Sequence, residues 1–141
     1  MSVVVDASVL VAVVVADERQ DAVRARLEAW LESGESMHAP AVLPYEIANV
    51  LARLVFDGVL QLSDVDDIWA DLAALGVVLH PFGLAEDGRD VAAITARLRR
   101  RHATDSAYVS LACRLGIVVW TLDGALARNA ADLGLPVRLI A

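Results

Sequence analysis

The sequence contains no lysine, a single cysteine and no long uninterrupted apolar run. The lack of lysine excludes a phospho-acceptor signalling domain, because such a domain needs a lysine late in the chain near its paired acids. The lone Cys113 excludes an internal disulfide framework and a cysteine-rich zinc site, so a reducing cytoplasm is the expected compartment. Asp6 splits the apolar N-terminal run, and no basic residue precedes it, so we expect neither a membrane anchor nor a signal peptide.

The charge balance is acidic, with a formal net charge of −7. An acidic chain is an unusual general binder of nucleic acid, since such proteins are usually basic. This objection weakens if several acids together hold metal ions, because bound cations reverse the local field. The 57% of hydrophobic residues can form a sizeable core, and 141 residues fit one domain spanning 1–141.

Apolar strand-like segments alternate with helical segments from end to end. Continuous apolar strands separated by helices are typical of an α/β protein whose parallel sheet is covered on both faces. Such sheets bind ligands outside the carboxyl ends of their strands. The predicted strands are residues 2–5, 37–39, 77–80, 117–121 and 137–140. The predicted helices are residues 8–16, 19–32, 40–57, 63–75, 85–101, 104–115 and 123–133, with Ser63 and Thr104 as N-caps.

Two aspartates follow predicted strands, Asp6 directly and Asp123 after one intervening residue. Asp6 ends the segment VVVD, and Asp123 ends IVVWTLD. Because parallel strands end at one edge of a sheet, both carboxylates are expected there. The alternative is that each aspartate only caps the helix that follows it, which is a common use of Asp at such junctions.

Two further acids lie on predicted helices. Glu46 shares a helix face with Val42 and Val50, and a glutamate among apolar groups needs a cation. A contact with Arg53, two turns further on, is the structural alternative, although helical pairs favour a spacing of three or four residues. Asp105 opens a helix, where the helix dipole alone would favour an acid.

Convergence of these four acids would create strong repulsion between the carboxylates. Magnesium or manganese ions prefer oxygen ligands and would relieve that repulsion. The residue pattern therefore favours a metal site, provided that the four side chains converge.

Four segments in order carry a resemblance that spans the whole chain: VVVDASVLVA, PAVLPYEIANVLAR, ATDSAYVSLACRLG and VVWTLDGALARNAADLG. The chain resembles PIN-domain ribonucleases, and is most similar to the VapC-type toxins of toxin–antitoxin pairs. The resemblance implies a three-layer α/β/α fold with a central, mostly parallel sheet. It also implies a small antitoxin partner and a homodimer.

Position by position, the resemblance assigns catalysis and metal binding to Asp6, Glu46, Asp105 and Asp123. It gives Ser8 and Thr121 a supporting role in orienting the carboxylates or a metal-bound water. The implied activity is Mg²⁺- or Mn²⁺-dependent endoribonuclease cleavage by a metal-activated water. Without the resemblance, Ser8 is an ordinary helix-start hydroxyl and Thr121 an ordinary β-branched strand residue.

A basic stretch precedes Asp105 and provides candidates for contact with RNA phosphates. A basic helix C-terminus that complements its own dipole is the alternative explanation. The RNA-binding candidates are Arg53, Arg97, Arg99, Arg100, Arg101 and His102.

Two rival functions are considered for the predicted group of four acids. An aspartyl phosphatase would need a second aspartate two residues after the first, where this chain has Ser8. An antitoxin-bound regulatory module with little nuclease activity is the main alternative, and Leu60, Leu62 and Trp69 are candidates for its binding surface. His38, His80 and the three tryptophans are expected to be structural, and Cys113 is expected to lie on the inner side of its helix and to be inert.

Overall fold

A five-stranded parallel sheet forms the centre of the computed structural model, which describes residues 1–141. The strand order is β3-β2-β1-β4-β5, and every neighbouring pair is parallel. The central position of β1 places Asp6 in the middle of the carboxyl edge. The strands are β1 Ser2–Val5, β2 Ser36–Pro40, β3 Val78–His80, β4 Val119–Thr121 and β5 Val137–Leu139.

Seven helices cover the sheet, which confirms the predicted three-layer α/β/α fold. Helix α6 packs on β1, β2 and β4 and also contacts α5, whereas α1 packs against α2, α3 and α4. No helix is both long enough and apolar enough to span a membrane. The helices are α1 Ala7–Val14, α2 Gln20–Glu32, α3 Leu43–Phe56, α4 Leu62–Ala74, α5 Gly88–Arg97, α6 Thr104–Leu115 and α7 Gly124–Asp132.

The core explains why β1 reads as a continuous apolar run. Val4 and Val5 are fully buried although their side chains point to opposite faces, because helices cover both sides of the sheet. On α3, Leu43, Ile47 and Leu51 recur every four residues and form its buried face. This packing fixes the rotation of α3 and hence the direction of its polar residues.

One predicted helix start and two predicted N-caps are wrong, although α6 begins at Thr104 as predicted. Pro40 is the last residue of β2, where it pairs with His80, and α3 begins only at Leu43. Helix α4 is preceded by Gln61 rather than capped by Ser63, and the Gln61 N–H donates to Asp64 Oδ2 at 3.0 Å. Ala103, rather than Thr104, occupies the N-cap position of α6, and it makes no side-chain cap.

Helix α5 is shorter at both ends than the predicted 85–101. The backbone N–H of Gly83 donates to Asp87 Oδ2 at 2.7 Å, which holds a turn before the helix. At the other end α5 stops at Arg97, and Arg99 adopts a left-handed conformation with φ of 54°. The basic stretch is therefore mostly a connection between α5 and α6.

The residues expected to be structural behave differently from one another. Trp30 is buried in the core, as predicted, and Trp120 packs against it with a ring-centroid distance of 5.7 Å. The rings of His38 and His80 are hydrogen bonded to each other at 2.9 Å. The expected position of Cys113 on the inner side of its helix is wrong, because Cys113 is exposed.

Candidate active site

Asp6 is buried at the end of β1, and its two carboxylate oxygens have different partners. Oδ1 accepts from the Ser8 hydroxyl at 2.5 Å and from the Val9 N–H at 3.3 Å. Oδ2 accepts from the Thr121 hydroxyl. The Val9 contact makes Asp6 the N-cap of α1, so the capping alternative is correct for Asp6 and coexists with a place in an acidic site.

Ser8 and Thr121 also accept backbone N–H groups beyond the end of β4. The Leu122 N–H donates to Ser8 Oγ at 3.1 Å, and the Asp123 N–H donates to Thr121 Oγ1 at 3.0 Å. Each hydroxyl thus joins Asp6 to the segment that carries Asp123. These bonds fix the relative position of the two strand-end aspartates.

Glu46 faces Tyr108 rather than Arg53. The Tyr108 hydroxyl donates to Glu46 Oε1 at 2.5 Å, and Tyr108 is only 2% exposed. No ion pair forms between Glu46 and Arg53, so the structural alternative proposed for Glu46 is wrong. Tyr108 joins the first turn of α3 to α6 at the site.

Arg100 connects the two remaining acids. Its Nη1 lies 3.5 Å from Asp105 Oδ2, and its Nη2 lies 3.6 Å from Asp123 Oδ2. Asp123 additionally caps α7, since its Oδ1 accepts from the Leu126 N–H at 3.0 Å. Arg100 is the ion-pair partner of both acids.

The electrostatics show that the acids influence one another. Burial raises the pKa of Asp6, and the charge of Asp105 adds to this effect. Burial also raises the pKa of Glu46, with contributions from Asp105 and Asp6 that the Tyr108 hydroxyl partly opposes. The pKa of Asp105 is raised by burial and by Asp123 and lowered by Arg100. The structure therefore brings the four predicted acids to one edge of the sheet.

The four acids suit a divalent metal ion by their donor atoms, but their side chains are too far apart to hold one as they stand. All four acids offer carboxylate oxygens, the donors that Mg²⁺ and Mn²⁺ prefer, and burial disfavours their uncompensated charge. No three His, Cys, Asp or Glu side chains are grouped closely enough to hold a metal ion as they stand. Arg100 lies between Asp105 and Asp123, so binding a metal there requires that side chains rotate.

An open cleft of about 490 Å³ adjoins this edge. Its charged lining residues are two acids and two arginines, namely Asp17, Glu46, Arg19 and Arg53. Arg19 is held there by Asp17, at 3.0 Å, and by the Leu122 carbonyl, at 3.1 Å. The cleft therefore opens beside Glu46 and carries one arginine, Arg53, that forms no ion pair.

The other RNA-binding candidates are divided between two regions. Arg99, Arg101 and His102 are exposed on the connection between α5 and α6. Arg97 donates to the Leu133 carbonyl at 3.3 Å and lines a separate cavity that also contains Cys113. The structure therefore does not bring Arg97 into the cleft.

Sequence reasoning missed three residues of this region, namely Tyr108, Arg19 and Asp17. Tyr108 lies three residues after Asp105 on α6, a spacing that puts both side chains on one helix face. That spacing was a usable signal for Tyr108. No local pattern could have placed Arg19 against the backbone of Leu122, because 103 residues separate them.

Residues 3–132 match the PIN domain. The chain belongs to the PIN-domain family. A relative of this PIN domain, ribonuclease VapC3 of Mycobacterium tuberculosis, is 36% identical over 127 residues, covering 89% of this chain and 85% of that protein. The predicted resemblance to VapC-type PIN domains is confirmed.

Solved structures show the same fold at low identity. VapC20 of Mycobacterium tuberculosis, a sarcin-ricin loop cleaving toxin, has a TM-score of 0.68 at 15% identity, covering 94% of this PIN domain chain and 95% of that chain. VapBC2 from Rickettsia felis, bound to a DNA fragment from their promoter, has a TM-score of 0.61 at 12% identity, and both chains are fully covered.

Proposed function

We propose that this PIN domain is a Mg²⁺- or Mn²⁺-dependent endoribonuclease and the toxin of a toxin–antitoxin pair. The observation that carries the proposal is the group of four carboxylates at the carboxyl edge of the sheet, beside a cleft with arginines on its wall. Membership of the PIN-domain family and the ribonuclease activity named for a 36% identical relative support it.

Asp6, Glu46, Asp105 and Asp123 would hold the metal ion. When bound, the ion would supply a water of lowered pKa as nucleophile and would neutralise charge that develops on the scissile phosphate. The chain's own residues orient the ligands. Hydroxyl groups fix both oxygens of Asp6, and the Tyr108 hydroxyl fixes Glu46 Oε1.

RNA would approach along the cleft. Arg19 and Arg53 lie on its wall, and Arg101 and His102 are exposed on the connection that leads into α6. Such side chains contact phosphates without reading bases, so they would position the strand over the acids. These side chains would offer local positive charge although the chain as a whole is acidic.

A small antitoxin and a second copy of the chain are the proposed protein partners. Exposed apolar side chains on and after α3 offer surface for such contacts, with Tyr45 75%, Phe56 91% and Leu62 74% exposed. Leu60 and Trp69 are only partly exposed and pack against the core. The alternative function, an antitoxin-bound regulatory module with little nuclease activity, rests on this same surface.

The test is cleavage of total RNA and transfer RNA by the purified protein in Mg²⁺, with chelator and Asp6→Asn as comparisons. Asn is as good an N-cap as Asp, so Asp6→Asn removes the charge while keeping the start of α1. Asp66→Asn is the matched control, because Asp66 is an exposed acid on α4 outside the site. We expect cleavage to be lost in chelator and in Asp6→Asn and to be retained in Asp66→Asn.

Cleavage that survives Asp6→Asn would overturn the four-acid proposal and indicate another site or a contaminating nuclease. A protein that binds antitoxin equally well with and without chelator, and cleaves no RNA in either condition, would favour the regulatory module. Melting temperatures of all variants distinguish loss of chemistry from loss of fold.

A further inference from the structure

Arg100 is held between two site acids by loose contacts. Its nitrogens lie 3.5 and 3.6 Å from Asp105 Oδ2 and Asp123 Oδ2, and Nη2 is enclosed without a hydrogen-bond partner. Charge-assisted N–H···O bonds are normally about 2.7–2.9 Å long. The guanidinium therefore balances the charge of both carboxylates without saturating its own donors.

The backbone before Arg100 turns the chain away from the axis of α5. Arg99 adopts its left-handed conformation where α5 ends, and its N–H donates to the Ala96 carbonyl at 3.1 Å. The Arg100 N–H donates to the Thr95 carbonyl, also at 3.1 Å. These two bonds form a helix-ending motif that usually has glycine in the left-handed position. The turn places Arg100 at the start of the connection to α6, from which its side chain reaches the acids.

Arg100 is also the one residue that forms ion pairs with any of the four acids. Ion pairs at the other carboxylates of the chain involve Asp17 and Asp87, which lie outside the group of four acids. Arg101, the next residue, is exposed and forms no ion pair. One guanidinium thus stands where a divalent ion would have to contact Asp105 and Asp123.

We propose that Arg100 is an internal counter-ion of the metal-free site, that a divalent ion displaces it, and that Arg100 thereby sets the metal affinity. Mg²⁺ needs oxygen ligands at about 2.0–2.1 Å in near-octahedral geometry, which Asp105 and Asp123 cannot provide while Arg100 separates them. The unsatisfied Nη2 and the long contacts make its departure easy, because few strong hydrogen bonds are broken. The inference rests on the proposed function, since it concerns a metal ion at that site.

The test is Mn²⁺ binding to the RNA-free protein, measured by isothermal titration calorimetry. Arg100→Gln removes the counter-ion, and Arg101→Gln is the matched control, because it changes the net charge equally without touching either acid. We expect Arg100→Gln to bind Mn²⁺ about threefold to tenfold more tightly than Arg101→Gln, the range that one to two partly exposed ion pairs correspond to. Arg100→Lys should fall between them, because one ammonium cannot bridge two carboxylates as a guanidinium does.

Equal or weaker binding by Arg100→Gln relative to Arg101→Gln would overturn the inference and leave the metal site intact. No Mn²⁺ binding by any variant would instead overturn the proposed function. Thermal unfolding gives a second readout that needs no activity. Mn²⁺ should raise the melting temperature of Arg100→Gln more than that of Arg101→Gln. In Arg100→Gln the repulsion between Asp105 and Asp123 is no longer reduced by Arg100, so the metal ion has more of it to remove. If Arg100→Gln does not fold, Arg100→Lys is compared with Arg101→Lys instead. The inference then requires that Arg100→Lys binds Mn²⁺ more tightly and is stabilised more by it.

Discussion

The hydrogen bond from Tyr108 to Glu46 gives the sharpest test of the electrostatics at the site. Tyr108→Phe removes only the hydroxyl that donates to Glu46 Oε1 at 2.5 Å and keeps the buried ring. Burial raises the pKa of Glu46, and the Tyr108 hydroxyl opposes that rise. The substitution therefore leaves a partly buried carboxylate without its side-chain donor.

The expected loss of stability in Tyr108→Phe follows from the groups that the lost hydrogen bond joins. A hydrogen bond to a charged group contributes about 1.5–3 kcal/mol to stability, and water that reaches the partly exposed Glu46 replaces part of this, so we expect a loss of about 1–2 kcal/mol near neutral pH. The sign of the pH dependence of this loss is set by Glu46, because the hydroxyl stabilises its ionised form. Because the hydroxyl lowers the pKa of Glu46, its contribution is present when Glu46 is ionised and is lost as pH falls through the pKa of that carboxyl.

Urea unfolding of the metal-free protein at about pH 7.5 and about pH 4 measures both effects. Tyr45→Phe is the matched control, since Tyr45 precedes Glu46 on α3 and is 75% exposed; it should change stability by less than about 0.5 kcal/mol. An equal loss for Tyr108→Phe at both pH values would refute the reasoning, because the hydroxyl would then stabilise something other than the ionised carboxylate.

Three further predictions concern the same edge. Thr121→Val removes the donor to Asp6 Oδ2 at nearly constant volume and should lower the free energy of unfolding by about 1–3 kcal/mol in urea; no loss would mean that water replaces the hydroxyl. Arg99→Gly should raise stability by about 0.5–1 kcal/mol, because glycine adopts φ of 54° without strain, whereas Arg101→Gly should not. For the metal-free protein, the three site carboxyls with raised pKa values bind protons more readily folded than unfolded, so their contribution to stability should rise as pH falls from neutral toward about pH 5. Asp6→Asn should reduce this rise in the free energy of unfolding. A variant whose stability depends on pH as that of the unsubstituted protein does would contradict the prediction.

The strand-end acids could be predicted from sequence because their position depends on local pattern and sheet topology together. A buried apolar run ends at Asp6 and another ends near Asp123, and parallel strands place their carboxyl ends at one edge. The same logic gave the order of elements and the parallel sheet. Glu46 could be singled out because apolar neighbours make an unpaired glutamate improbable.

The contacts of these acids could not be predicted, because they depend on tertiary packing. Tyr108 meets Glu46 across 62 residues of sequence, and a helical pattern alone offered Arg53 as the partner instead. The end of α5 shows the same limit. Residues 97–101 have good helix propensity, but the left-handed Arg99 ends the helix, since propensity is a weak prior that tertiary context overrides. That error concealed the contact of Arg100 with two site acids.

The helix termini explain how four acids share one edge of the sheet in the metal-free fold. Asp6 and Asp123 cap α1 and α7, and Glu46 and Asp105 lie in the first turns of α3 and α6. Each positive helix N-terminus stabilises a nearby carboxylate by about 0.3–1 kcal/mol, which offsets part of their mutual repulsion.

Capping is the observed role of Asp6 and Asp123, metal binding is the proposed one, and the choice of substitution separates the two. Asn caps a helix as well as Asp does, whereas Ala does not. Asp123→Asn should thus retain the stability of α7 and abolish RNA cleavage, while Asp123→Ala should reduce both. Cleavage by Asp123→Asn at the unsubstituted rate would mean that Asp123 is a cap alone.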